Sequence, residues 1–110
     1  MLEELRTQLL EAAEDDWIYF AELLGMVREV TGSSDDLLTT AGQAAAQFVR
    51  EGVIVPGTLT EADGFTPWPT SLTESAQRIE TEVAAMLRDG VEPSLGDVCW
   101  FDLPKDTTST

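Results

Sequence analysis

The sequence predicts a mainly helical α+β domain: three helices, a β-hairpin, a fourth helix and a short C-terminal strand. Three observations lead there. Apolar residues recur at spacings of three and four in four separate segments. Between the third and fourth of these, two short β-branched or aromatic runs bracket a polar turn, and a final apolar quartet, Val98–Phe101, lies between chain breakers. The 110 residues suit a single domain, expected over 1–104, with Lys105–Thr110 a frayed, flexible polar tail.

Taken in order, Leu2, Leu5, Leu9 and Ala13 make one helical stripe, which should end near the Glu14–Asp16 carboxylates. After Trp17-Ile18 the stripe returns with Phe20, Leu23, Leu24, Val27 and Val30, predicting a second helix over about Tyr19–Val30 closed by Gly32. Gly25 inside it implies a close packing contact or a bend. Ser33 and Asp36 have the spacing of a capping box, so the third helix is expected over about Asp35–Glu51, with Leu37, Leu38, Ala41, Ala45 and Phe48 facing inward. Its small residues, Ala41, Gly42 and Ala44–Ala46, would let a neighbouring element approach closely.

Beyond Gly52, Val53-Ile54-Val55 reads as a strand stopped by Pro56-Gly57, and Phe65–Trp68 as its return after the turn Thr60–Gly64. Pro67 should place that return strand at a sheet edge. Ser71-Leu72-Thr73-Glu74 is a second capping box, and Leu72, Ala76, Ile79, Val83, Met86 and Leu87 carry the fourth helix to Gly90. Val98–Phe101, preceded by Pro93 and Gly96 and followed by Pro104, is expected to cover the core or join the hairpin.

The unusual quantity is charge: 21 Asp and Glu against six Lys and Arg, with no histidine, give −15 at neutral pH. The acids are dispersed, ten in residues 1–50 and eleven in 51–110, so this is no acidic tail on a neutral domain. Such a surface aids solubility, repels phosphates and anionic lipid, and attracts basic proteins. The amino terminus lacks the charge and apolar run of a secretory signal, and no segment reaches membrane-spanning length. A lone Cys99 rules out an internal disulfide and fits a reducing, cytoplasmic setting.

The order helix, Trp17-Ile18, helix, helix, hairpin resembles the winged helix-turn-helix superfamily over about Met1 to Trp68. That resemblance implies that the short segment at Trp17-Ile18 pairs with the wing strands, that Asp35–Glu51 is the recognition helix, and that Arg50–Ile54 leads into the wing. It also implies DNA binding, and the alternative expectation is accordingly a transcriptional regulator, dimeric through the Leu72–Leu87 helix. The side chains oppose that job. The outward side of the third helix would present Asp36, Thr39, Thr40, Gln43, Gln47 and Arg50, and the wing turn carries Glu61 and Asp63, so only Arg50 is there to neutralise a phosphate.

Catalytic and metal chemistry find little support. Without histidine there is no Ser-His-Asp or Cys-His set, and carboxylate pairs are uninformative in so acidic a chain. Cys99 has no cation near it in sequence to stabilise a thiolate and reads as a buried, inert thiol. No Cys-x-x-Cys pair exists for zinc, and aligning Gly64 with a calcium-loop glycine puts Leu59 and Thr70 at ligand positions, which rejects an EF-hand. No glycine-rich phosphate loop occurs. The tryptophans, with Phe48, Phe65 and Phe101, are expected mainly in the core, while Phe65 or Trp68 projecting from the wing would anchor a protein contact. The expectation is therefore a non-enzymatic, cofactor-free interaction module, in concrete form an inhibitor or immunity-type neutraliser of a basic protein such as a nuclease. Its candidate contact residues are Asp36, Thr40, Gln43, Gln47, Glu61, Asp63, Phe65 and Trp68.

Overall fold

The computed structural model describes residues 2–93 and 98–104. Helix α1, Leu2–Asp15, buries Leu5, Leu9 and Ala13 and ends in the carboxylate run. There the Asp16 carboxylate accepts the Trp17 N–H at 2.8 Å, and strand β1, Ile18–Tyr19, follows. Helix α2, Phe20–Thr31, buries Phe20, Leu23 and Val27. Gly32, at φ 70°, closes it, and its N–H donates to the Arg28 carbonyl. Of the contact or bend expected at Gly25, the close contact is absent, since a Cβ added there would meet nothing within 4 Å.

Helix α3 runs over Leu37–Arg50, starting later than the capping-box reading requires. Asp36 takes the left-handed conformation at φ 53° and makes no side-chain cap, while the Ser33 hydroxyl accepts from the Asp35 N–H instead. A local side-chain turn has outcompeted the cap, as serine and aspartate readily do. At α4, Leu72–Asp89, the capping box forms in full: Ser71 Oγ accepts the Glu74 N–H at 3.1 Å and the Glu74 carboxylate accepts the Ser71 N–H at 3.3 Å.

The hairpin is shifted from its expected position. Strand β2 spans Val55–Thr60 and β3 Gly64–Pro67, so Pro56-Gly57 lies inside a strand instead of ending one. The Pro56 carbonyl accepts from Trp68 N–H, just past the last β2–β3 pair, Gly57 with Pro67. In an antiparallel strand the N–H and C=O of a residue point to the same neighbour, so the proline's missing donor falls where the ladder has already ended. Strand β4, Trp100–Asp102, joins the hairpin, giving an antiparallel sheet in the order β1-β4-β2-β3. Pro67 is on the edge strand, as expected. The segment after α1 pairs with β4, Ile18 opposite Phe101, and not with the hairpin as the winged-helix resemblance implies. The expected breaker Gly96 and the tail Lys105–Thr110 lie outside the described residues.

One core joins helices and sheet, built on Phe20, Phe48 and Phe101 with Leu5, Leu9, Leu23, Ile54 and Ile79. The most extensive contact between elements is α3 on α4. At Gly42 a Cβ would lie 2.8 Å from Val83 Cγ1, so the small residues of α3 do admit a neighbour and that neighbour is α4.

Candidate partner-binding site

Strand alternation and register divide the sheet into two faces. Ile18, Pro56, Cys99 and Phe101 point into the core and are buried. Their alternates Tyr19, Val55, Leu59, Phe65 and Trp100 share the opposite face and are half-buried. Tyr19 and Trp100 meet edge to face at 5.5 Å. Phe65 lies nearly parallel to Trp17, 6.3 Å between ring centroids and 15° between planes. Gly57 makes room for this arrangement, because a Cβ there would come within 2.7 Å of the Phe65 ring and 2.5 Å of the Thr66 carbonyl oxygen.

Trp17 and Phe65 form walls of a groove of about 460 Å³, completed by Val55, Pro67 and Leu103 and bordered by Asp63 and Asp102. Trp17 is 37% exposed, whereas the sequence places it by default in the core. Trp17 also lines a second recess of about 340 Å³, with Glu14, Asp15, Asp16 and Asp102 around Ala13. Trp17 and Asp102 border both cavities. Asp102 Oδ1 accepts the Leu103 N–H at 2.8 Å, which fixes the carboxylate at the shared edge. The groove can thus offer apolar contact, aromatic stacking and negative charge side by side. No arginine lines either cavity.

Three of the arginines are engaged elsewhere. Arg50 makes a forked contact with Glu80 on α4, at 2.8 and 3.4 Å. Arg78 pairs with Glu82 at 2.9 Å and lies over Trp68, its guanidinium carbon 3.8 Å from the ring centroid. Arg88 is close to Asp89, at 3.5 Å. Exposed pairs of this kind contribute little to stability, at most about 1 kcal/mol each, but they cancel the positive potential a phosphate would need.

The candidate contact residues are dispersed over the molecule. Phe65 and Asp63 belong to the groove. Glu61 is exposed in the hairpin turn, where the Asp63 N–H donates to Thr60 Oγ1. Gln43 and Gln47 are exposed on α3, with Gln47 donating to Glu51, and Thr40 beside them is half-buried. Asp36 is exposed ahead of α3 and borders a separate cavity with Leu24 and Leu37. Trp68 is a correction. It is only 8% exposed, closed in by the core and by Arg78, and offers no projecting anchor. Trp17 and Asp102 were not among the residues expected to act. Asp102 had no signal of its own in the sequence, since it only follows the apolar quartet Val98–Phe101, and the neighbour that puts it beside Trp17 is distant in sequence.

Other candidates for chemistry carry less. Cys99 is buried, and burial raises its thiol well above the ordinary value, with Glu82 adding to the rise and Arg78 opposing it. Among the described residues no group of His, Cys, Asp or Glu is arranged to hold a metal, and no helix is long and apolar enough to cross a membrane. The apolar stripe of α4 is consumed by the core through Ala76, Ile79 and Val83, leaving Leu72 and Leu87 exposed near opposite ends, about 22 Å apart along the helix axis. No family model, curated protein or solved structure matches the chain.

Proposed function

We propose that this chain is a small acidic protein-interaction module, winged-helix-like in its element order, that binds and neutralises a basic protein. The observation that carries this reading is the groove between Trp17 and Phe65, an apolar cavity bordered by Asp63 and Asp102 and continuous with the carboxylates of Glu14–Asp16. Aromatic side chains at the centre and charge at the rim is how protein interfaces divide their labour, and a net charge of −15 would steer a cationic partner toward it. An inhibitor or immunity-type protein directed at a nuclease is the concrete form, since the surface that such an enzyme offers to nucleic acid is itself basic.

DNA binding is the competing reading, and Arg50 weighs against it: the lone cation on the outward stripe of α3 is already bound to Glu80. The immobilised protein is expected to retain a basic protein at about 50 mM salt and release it at about 500 mM, and the purified partner should lose nucleic-acid activity at one-to-one stoichiometry. Failure to retain any basic protein at low salt refutes the reading. A duplex DNA titration over the same salt series should show no complex at any point.

A further inference from the structure

Two cavities of different character share one wall. Trp17 and Asp102 line both the apolar groove and the carboxylate recess. An occupant that fills the pair must bring apolar atoms to one side and positive charge to the other, a side chain's reach apart. Mutual repulsion among the carboxylates lining the recess is relieved by such a charge. A metal ion does not meet the need, because no described group of carboxylates converges as ligands.

We propose that this groove is an arginine-recognition site. An extended segment of a basic protein lays an arginine against the face of Trp17, with its guanidinium donating to the Asp102 carboxylate, and seats a neighbouring apolar side chain beside Phe65. The assignment rests on the reading of the chain as a binder of basic proteins and narrows it to one chemistry. Arginine fits better than lysine because its planar head stacks on an indole while donating in a fork to carboxylate, whereas an ammonium offers only a compact charge. Among the described residues no group donates to Asp102 Oδ2, so the carboxylate has an oxygen to offer. A second copy of this chain is the wrong occupant: it would bring another −15 to a border that is already acidic.

The test is calorimetric titration of the intact protein, at about 20 mM salt, with a capped hexapeptide of alternating leucine and arginine, alongside lysine and citrulline counterparts. Saturable one-to-one binding is expected for the arginine peptide, roughly tenfold weaker binding for lysine, and a further drop for the neutral citrulline. Trp17→Ala and Asp102→Asn should each weaken the arginine peptide by about tenfold, while Gln77→Ala, on the exposed face of α4, should not change it. Amide shifts in the NMR spectrum should cluster at residues 14–17, 63–65 and 102–103. Absent binding, equal affinity for lysine and arginine, or indifference to Trp17→Ala and Asp102→Asn overturns the proposal. Should either variant unfold, the citrulline comparison on the unaltered protein still decides. A sedimentation coefficient that rises with protein concentration, and does so less in Trp17→Ala, gives the groove to a second copy and also overturns it. If the peptides fail while the protein still retains a basic partner at low salt, the arginine site falls and the broader reading stands.

Discussion

Substituting Gly42 by alanine should change stability in opposite directions depending on what faces it. In the native background the new Cβ lies 2.8 Å from Val83 Cγ1, 3.1 Å from Cγ2 and 3.2 Å from Cβ. Valine is held to few rotamers on a helix, so the side chain cannot simply swing away. Overpacking of this kind costs about 2 kcal/mol, whereas replacing glycine by alanine inside a helix contributes about 1 kcal/mol in the other direction. The net expectation for Gly42→Ala is a loss of about 1 kcal/mol. Taking an unfolding entropy of about 2.1 cal/mol/K per residue over 110 residues, that is a fall of about 4 °C in Tm. In a Val83→Ala background, itself weakened by about 2 kcal/mol through lost burial, the clash is gone and the same substitution should raise Tm by about 4 °C. The coupling energy of the double-mutant cycle is then about 2 kcal/mol. Urea and thermal unfolding followed by circular dichroism measure it. A stabilising Gly42→Ala in the native background, or a coupling near zero, would mean that α4 does not lie on α3 as described. The case against α3 as a groove-reading helix would lose its structural half.

Three further outcomes are expected. Because burial raises the folded-state pKa of Cys99, the unfolded chain releases its thiol proton first as pH rises, so the contribution is fully present below about pH 8.5 and declines above it by about 1.4 kcal/mol per unit. Stability should therefore fall by about 2 kcal/mol more between pH 8.5 and 10 in the native protein than in Cys99→Ala, and the native thiol should resist alkylation until the chain unfolds; equal pH slopes would refute this. Ser71→Ala removes the acceptor for the Glu74 N–H and should cost about 1 kcal/mol, near 4 °C in Tm, with Ser71→Asp restoring most of it. Screening the self-repulsion of −15 should raise Tm between about 20 and 300 mM salt, since the ion pairs that salt weakens are exposed and contribute little. A Tm that falls over that range would show that the ion pairs matter more than the net charge.

Features set by neighbouring residues were legible in the sequence. The four helices, the Ser71 capping box, the Gly32 terminus and the edge position of Pro67 depend on spacing or on one residue's backbone and are found, although Leu72 and Leu87 of the fourth stripe stay exposed. What escaped depends on partners far along the chain. Pro56-Gly57 looks like a stop until β4 pairs along one side of β2 and the end of β3 excuses the missing N–H on the other. Ser33 and Asp36 have the right spacing for a cap, but a competing local turn takes the serine. At the site, Phe65 and Asp63 were named from the wing alone, whereas Trp17 and Asp102 come together only because β4 inserts between β1 and the hairpin.

That insertion also bears on which face of the molecule works. In a helix-then-wing arrangement the face of interest is the outward stripe of α3, and here that stripe offers Gln43 and Gln47 beside an arginine already neutralised by Glu80. With Glu51 and Glu80 around it, its one arginine leaves no net positive charge to attract a phosphate, and it has no aromatic centre. The groove is different, since its carboxylates on α1, β4 and the hairpin turn have no arginine among the residues lining it, and its centre is aromatic. A charge imbalance of this kind is tolerated in water by solvation and screening, and it is relieved most by a ligand that brings cations and apolar surface together. The strand that removes Trp17 and Ile18 from direct pairing with the hairpin is thus the one that supplies Asp102, so departure from the winged-helix pairing and the acidic groove have a common origin in β4.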